Sequence, residues 1–460
     1  MKICGTEGKL NRIFMQNKIN IKKENEKTVL ATLVGLSIPT VLEEILSTLL
    51  QYVDTAMVGH LGEKATAAVS TTTTIGWLIH SIPGAAAVAL LALASKANGA
   101  GEGKKLKNLA GQAVLLAFSI GIILEAAALV LSPYIPVWMG VEPDIVKPAS
   151  VYFTITSITL VFRTSARVFA AMIRSVKDTK SPMFISVGEN VLNVFLNWVF
   201  IYRMNMGVTG AAMASCISFG AGGIATFLMM LSKEQLRPSF SDIKPSPSLL
   251  SETVVIGLPV LGTTVFSCTG YIVFAGMVSG MGTTIFAAHS IAITAEQIVY
   301  IPGYGLRAAT STLIGNALGE GDIPKMKATQ KTAVFLTLAI MAVNGTALFI
   351  FAHPFMRIFT NSAEAALLGS QMLKLVSFSE PFFGLMIVME GISYGMGKTK
   401  HVFGCEAASM WGVRILCTFI CVKIYGLGLT AVWLCMIADN VVKAVMLWIF
   451  RPRNSKIFEV

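Results

Sequence analysis

The chain has 460 residues, of which 54% are hydrophobic and only 13% charged, with a mean hydropathy of +0.69. So few charges cannot cover a soluble globular surface, which leaves an integral membrane protein. The net charge of +11 does not point to nucleic acid, because the basic residues fall in short clusters between apolar stretches, where membrane topology places them.

Residues 1–30 carry Lys2, Lys9, Arg12, Lys18, Lys22, Lys23 and Lys27 ahead of any long apolar run, with no short apolar core and small-residue cleavage site. They read as a basic cytoplasmic tail. A helix needs about twenty apolar residues to cross the hydrocarbon core. Such runs fall at 31–57, 65–94, 108–131, 149–174, 182–202 and 209–231, then at 252–278, 285–314, 328–352, 367–392, 401–423 and 429–450. Between the sixth and seventh lies SKEQLRPSFSDIKPSPS, residues 232–248, polar and proline-bearing. The domain reading is therefore a first lobe over 31–231, a cytoplasmic linker over 232–250, a second lobe over 251–450, and a basic cytoplasmic C-terminus over 451–460.

Alternate connections hold the basic residues: Lys96, Lys104, Lys105 and Lys107, then Arg174, Lys177 and Lys180, then Lys233, Arg237 and Lys244, with Lys325, Lys327, Lys398 and Lys400 later. The positive-inside rule then places both termini in the cytoplasm of a multi-pass protein, with the plasma membrane as the expected location.

The chain also repeats itself at an offset of about 220 residues. Pro39 in LSIP falls on Pro259 in IGLP, Met57-Val58 on Met277-Val278 and Gly62 on Gly282. After a one-residue slip Ile82-Pro83-Gly84 meets Ile301-Pro302-Gly303, and after another Gly101-Glu102-Gly103 meets Gly319-Glu320-Gly321. An even number of spans per half makes the copies parallel. The expected fold is an all-α integral membrane protein of about twelve helices, in two six-helix parallel repeats about a pseudo-two-fold axis along the membrane normal. Such transporters place the pathway at or within the halves and rock them.

Several stretches carry a resemblance: QYVDTAMVGHLG within residues 38–62, IPGYGLRAATSTLIGNALGEGD (301–322), RSVKDTKSP (174–182), its second copy YGMGKTK (394–400), and LNVFLNWVFIY (192–202). In this order and on these helices the sequence resembles the multidrug and toxic compound extrusion (MATE) family over nearly its whole length after the tail. The resemblance implies a secondary antiporter that exports amphipathic, often cationic compounds against an inward flow of protons or sodium ions. No cofactor is expected, and the expected partners are a small-molecule substrate and the bilayer, with no nucleic acid and no obligate protein.

Ionisable residues inside a membrane are functional candidates. Asp54 lies towards the outer end of the first span, where the resemblance places a coupling carboxylate. Pro39, about four turns earlier, supplies a point where that helix can bend, as Pro259 does in the seventh. Glu189, Asn193 and Asn197 follow at i, i+4, i+8 on one face of the fifth span, with the asparagines level with Asp54. Many members of the family have an aspartate where Asn197 stands. Further candidates are Glu43, Glu44, Glu296 and Glu380, with Glu125, Arg163, Arg167 and Glu390. Structural pairs are expected among them, such as Arg163 or Arg167 with Glu43, Glu44 or Glu189. Ser267 stands where the sodium-binding branch carries a glutamate, with Glu380 the carboxylate left to substitute, so protons are the expected coupling ion.

Other readings fare worse. GAGEGKK (99–105) lacks the first glycine and the Ser/Thr of a phosphate loop, and no HExxH, GxSxG or cysteine cluster occurs, so an enzyme is not expected. The alternative within transport is a lipid-linked oligosaccharide flippase, kept by Arg163, Arg167 and Arg307. The twenty-three methionines read as ordinary apolar filler.

Overall fold

The computed structural model describes residues 4–360 and 362–451; the side chains of the basic tail and residues 452–460 lie outside the described residues. The expected spans are all present as helices. The first helix runs Cys4–Gly59, its apolar part Lys27–Gly59. The second is Glu63–Gly99, the third Gly103–Leu131, the sixth Gly207–Ser232, the seventh Pro247–Ser279, the eighth Thr283–Gly319, the ninth Ile323–Phe359 and the twelfth Leu429–Ile449.

The remaining four spans are interrupted. The fourth consists of Pro143–Ser157 and Leu160–Ser175, bent by 47°. Its equivalent, the tenth, breaks into Ala363–Val376, a 3-10 turn Ser377–Ser379, and Glu380–Gly395. Pro381 accounts for the second break, since it brings no N–H and disfavours helix at the residue before it. In the fourth span the half-buried Glu125 carboxylate accepts from the freed Val161 N–H at 3.2 Å, which gives that acid a structural role. The fifth span, Lys180–Asn197, ends in a π-helical turn Trp198–Arg203, and the eleventh, beginning at Lys400–Ser409, ends in another at Ile420–Ile424.

These shared interruptions are the repeat written in backbone, and they correct its register. The left-handed glycines Gly62 (φ 103°) and Gly282 (φ 117°), and Gly101 and Gly321 (both φ 68°), are each 220 residues apart. So are the ends of the second and eighth helices. The offset is therefore constant: Gly101 corresponds to Gly321, not Gly319, and Pro302 sits one residue before the position equivalent to Pro83. Only glycine tolerates the turn after each helix without strain, which is why the turns, not the proline match, set the register. The third such site holds Lys177 (φ 65°) against Gly397 (φ 67°).

The linker is docked, not free. Buried Gln112 of the third span donates to the Asp242 and Lys244 carbonyls at 3.2 and 2.8 Å and accepts from Ser246 N–H at 3.1 Å. Beside it, a Cβ on Gly111 would lie 2.0 Å from the Asp242 carbonyl oxygen, so glycine is needed for the strap to lie flat. Asp178, in the fourth-to-fifth loop, pairs with Lys233 at 2.7 Å. Burial works against its charge, but Lys233 and Ser181 outweigh it and hold the carboxyl below its usual range.

Between lobes, the second helix crosses the seventh and eighth, and the first crosses the eighth and ninth. Thr40, next to Pro39, donates to the Gly305 carbonyl at 3.2 Å, and a Cβ on Gly305 would fall 2.4 Å from Val41 Cγ2. The helices continue unbroken through both Pro39 and Pro259.

Candidate functional site

Asp54 and Asn197 come together. Both lie at the end of their helices away from the basic loops, and Asn197 Nδ2 donates to Asp54 Oδ1. The same amide donates to Asn193 Oδ1 at 3.1 Å, and Asn193 Nδ2 donates on to Ser215 of the sixth span at 3.2 Å. Asn197 is fully buried and its Oδ1 has no hydrogen-bond partner. The arrangement is one carboxylate at the head of a chain of amide donors that terminates in a hydroxyl.

The polar stripe of the fifth span divides below this point. Glu189, a turn closer to the basic loops, lines a separate cavity of about 350 Å³ with Glu43, Glu44, Arg163, Arg167 and Arg174. The expected pairing needs correction for Glu43, which takes Arg174, whose Nη2 meets both carboxylate oxygens at 2.8 and 2.7 Å; Arg163 remains an electrostatic neighbour of Glu189, and Arg167 of Glu44. Arg174 sits at the last turn of the fourth span. Arg163 also lies over the Phe219 ring at 4.1 Å. Three carboxylates thus face three guanidinium groups.

Glu189 is held there by the absence of a side chain opposite. A Cβ on Gly222 would lie 1.7 Å from its Oε2. Gly222→Ala is therefore expected to keep the fold, since a carboxylate can swing aside, but to eject Glu189 from the cavity. Transport by this variant should fall to that of Glu189→Gln, with the melting midpoint lowered by only a few degrees.

In the second lobe Glu296 and Glu380 are 2% and 1% exposed, on the eighth and tenth spans, with Glu296 Oε1 and both Glu380 oxygens without hydrogen-bond partners. They are electrostatic neighbours of each other and of Tyr300. Glu390 pairs with Arg307 at 2.9 Å. His289 is packed between the rings of Phe274 and Trp433 at centroid distances of 5.6 and 5.8 Å.

A larger constellation escaped the sequence. Arg414 pairs with Asp439 at 2.9 Å, Lys443 with Glu406 at 2.8 Å and with Asp439 at 3.6 Å, all four nearly inaccessible. Ser267 donates to Glu406 at 2.5 Å, Ser409 donates to Asp439, and Arg414 also donates to Asn440 at 3.3 Å. Two acids and two bases make the network neutral. The legible signal was Asp439 and Lys443 at i, i+4 inside the apolar twelfth span, the favoured order for such a pair.

At the end bearing the basic loops the lobes are in backbone contact. Asn98 Nδ2 donates to Asn316 Oδ1 at 2.7 Å, Asn316 Nδ2 donates to the Ser175 carbonyl at 3.1 Å, and Lys177 meets Glu320 at 3.5 Å. Cβ atoms on Gly99 and Gly319 would each fall 2.0 Å from the opposing Asn316 and Lys96 carbonyl oxygens. Asn98, which breaks the resemblance to a phosphate loop, thus has a place in this closure.

Two six-helix repeats, each enclosing polar groups within its own bundle and meeting along crossed central helices, make a membrane transporter of the alternating-lobe kind. The pattern of the MatE family matches residues 39–199 and again 259–420, one copy in each half, and the chain belongs to that family. It is 29% identical over 437 residues, 94% of each chain, to a probable multidrug resistance protein NorM of Thermotoga maritima. It is also 24% identical over 393 residues, 83% of this chain and 85% of the other, to a multidrug resistance protein NorM of Vibrio cholerae. The fold matches a multidrug resistance MATE family transporter solved in an outward-facing conformation, with TM-score 0.88, 20% identity, and 94% and 97% of the two chains covered. It likewise matches the Vibrio cholerae MATE transporter VcmN in its bent form, with TM-score 0.85, 20% identity, and 93% and 97% covered.

Proposed function

We propose that the protein is a proton-coupled antiporter in the plasma membrane that exports amphipathic, cationic compounds, with Asp54 as the group that carries the coupling proton. The observation carrying this reading is the Asp54, Asn197, Asn193, Ser215 chain. When ionised, Asp54 is acceptor-only and is matched by the Asn197 amide; when protonated it gains an O–H donor. Asn197 Oδ1, buried without a partner, is the acceptor that the protonated acid needs. Each protonation state therefore has its own hydrogen-bond arrangement, and switching between them reorients the junction of the first, fifth and sixth helices. The bend that Pro39 permits lets the first helix follow.

The multidrug names of the relatives support drug export, and the basic loops support a cytoplasmic location for the closed end. Glu189, Glu43 and Glu44 are proposed as cavity residues that receive a cationic head group, and Glu296 and Glu380 as a second carboxylate pair. Protons are favoured over sodium because Ser267 and its partner Glu406 are committed to a neutral ionic network. The flippase reading needs an excess of positive charge, yet Arg163, Arg167 and Arg307 are accompanied by Glu43, Glu44, Glu189 and Glu390.

The test is dye export from inverted vesicles under either a proton gradient or a sodium gradient, each imposed alone. The proton gradient should drive export and the sodium gradient should not. Export driven by sodium alone would overturn the assignment of the ion and return attention to Glu296 and Glu380.

A further inference from the structure

A groove of about 580 Å³ lies on the second lobe between the ninth and tenth spans and the end of the twelfth, and it shares no lining residue with the Glu189 cavity. Its polarity is graded along the ninth helix. Lys327, Lys331 and Phe335 follow at i, i+4, i+8, beside Gln330, Val334 and Leu338 in the same spacing, all lining the groove. From Lys327 to Leu338 the axis rises about 16 Å, passing from cationic to wholly apolar. Met389 and Ile392 of the tenth span supply the opposite apolar wall.

At the cationic end Arg451 closes the rim, its guanidinium 4.1 Å above the ring of Trp448. Tryptophan and arginine together mark the depth of lipid head groups. Phe335 is 74% exposed, so the apolar part is a lipid-facing surface.

We infer that this groove holds an anionic two-chain phospholipid of the adjacent leaflet, its phosphate among Lys327, Lys331 and Arg451 and an acyl chain along Val334, Phe335 and Leu338. The shape of the charge distribution argues for a membrane lipid over a free phosphate: a phosphate uses the rim alone, whereas a lipid matches both ends of the gradient. Basic pockets between helices at this depth bind anionic head groups. The inference does not depend on what the protein transports.

The test is native mass spectrometry of the full chain in detergent with added phosphatidylglycerol or phosphatidylcholine. The wild type should retain phosphatidylglycerol preferentially, and the triple variant Lys327→Gln, Lys331→Gln, Arg451→Gln should retain at least about tenfold less, as expected when roughly three head-group charges stop contributing. A control variant at Lys104, Lys105 and Lys107 of the other lobe should bind as the wild type does. Equal retention of phosphatidylcholine by the wild type, or unchanged retention by a triple variant with unaltered circular dichroism, overturns the inference. A photoactivatable phosphatidylglycerol on the wild type gives a readout independent of any variant: crosslinks should map to residues 327–338 and 448–451, and crosslinks confined elsewhere would also overturn it.

Discussion

Gly319→Ala is expected to hold the two lobes apart at their basic end and to stop transport. A Cβ there would lie 2.0 Å from the Lys96 carbonyl oxygen and 2.7 Å from the Ala100 nitrogen. Both are backbone atoms, of the last turn of the second helix and of its C-cap, so no rotamer change relieves the clash. Gly99→Ala meets the Asn316 carbonyl in the same way. Overpacking of this kind costs about 1–3 kcal/mol when neighbours can adjust, and here the adjustment is separation of the lobes. Because about 1.4 kcal/mol is tenfold in an equilibrium, the closed arrangement should become the minor one. A cysteine introduced at buried Ser95, in a background without the native cysteines, reports the change. It should react slowly with a water-soluble maleimide in the parent and at least about tenfold faster with Gly319→Ala. Equal labelling and normal export would show that the helices do not meet as described.

Lys443→Met should be the most destabilising single change in the second lobe. It leaves Glu406 and Asp439 sharing Arg414 alone, with one buried negative charge uncompensated. Breaking a buried ionic group in this way costs about 3–5 kcal/mol. The double variant Lys443→Met, Glu406→Gln restores neutrality and should recover much of that loss, because the energetic problem is the orphaned charge, not the missing contact. The check is a double-variant cycle of thermal midpoints in detergent. Strictly additive effects would mean that Lys443 and Glu406 act independently, against their 2.8 Å separation.

The contrast between these two regions shows what a sequence makes legible. The spans were readable because each is a long apolar run, a local property that survives without knowledge of neighbours. Asp54 and Asn197 could be associated because both sit near the same end of their spans, and level is also computable along one helix. Pairing is not. Glu43 finds Arg174 instead of Arg163 or Arg167 because side-chain reach and helix rotation decide it. Glu406, Arg414, Asp439 and Lys443 form one network from two spans, and of it only the Asp439, Lys443 spacing is local. The breaks in the fourth and tenth spans follow a similar division: Pro381 announces one, while the other has no proline and relies on a carboxylate from the third span. The apparent slips in the repeat arose from matching proline and glycine letters, whereas the left-handed turns fix a constant offset.

The most direct test of the account is a paired measurement of proton movement and cation export in proteoliposomes, for the wild type, Asp54→Asn and Asn197→Asp. One pH unit supplies about 1.4 kcal/mol for each proton exchanged, so one-for-one exchange should concentrate substrate about tenfold. The coupling role of Asp54 predicts that Asp54→Asn binds substrate but shows neither gradient-driven export nor substrate-induced proton release, and that Asn197→Asp, which adds a second titratable group beside the first, raises proton release per substrate. Gradient-driven export by Asp54→Asn with undiminished proton release would contradict it.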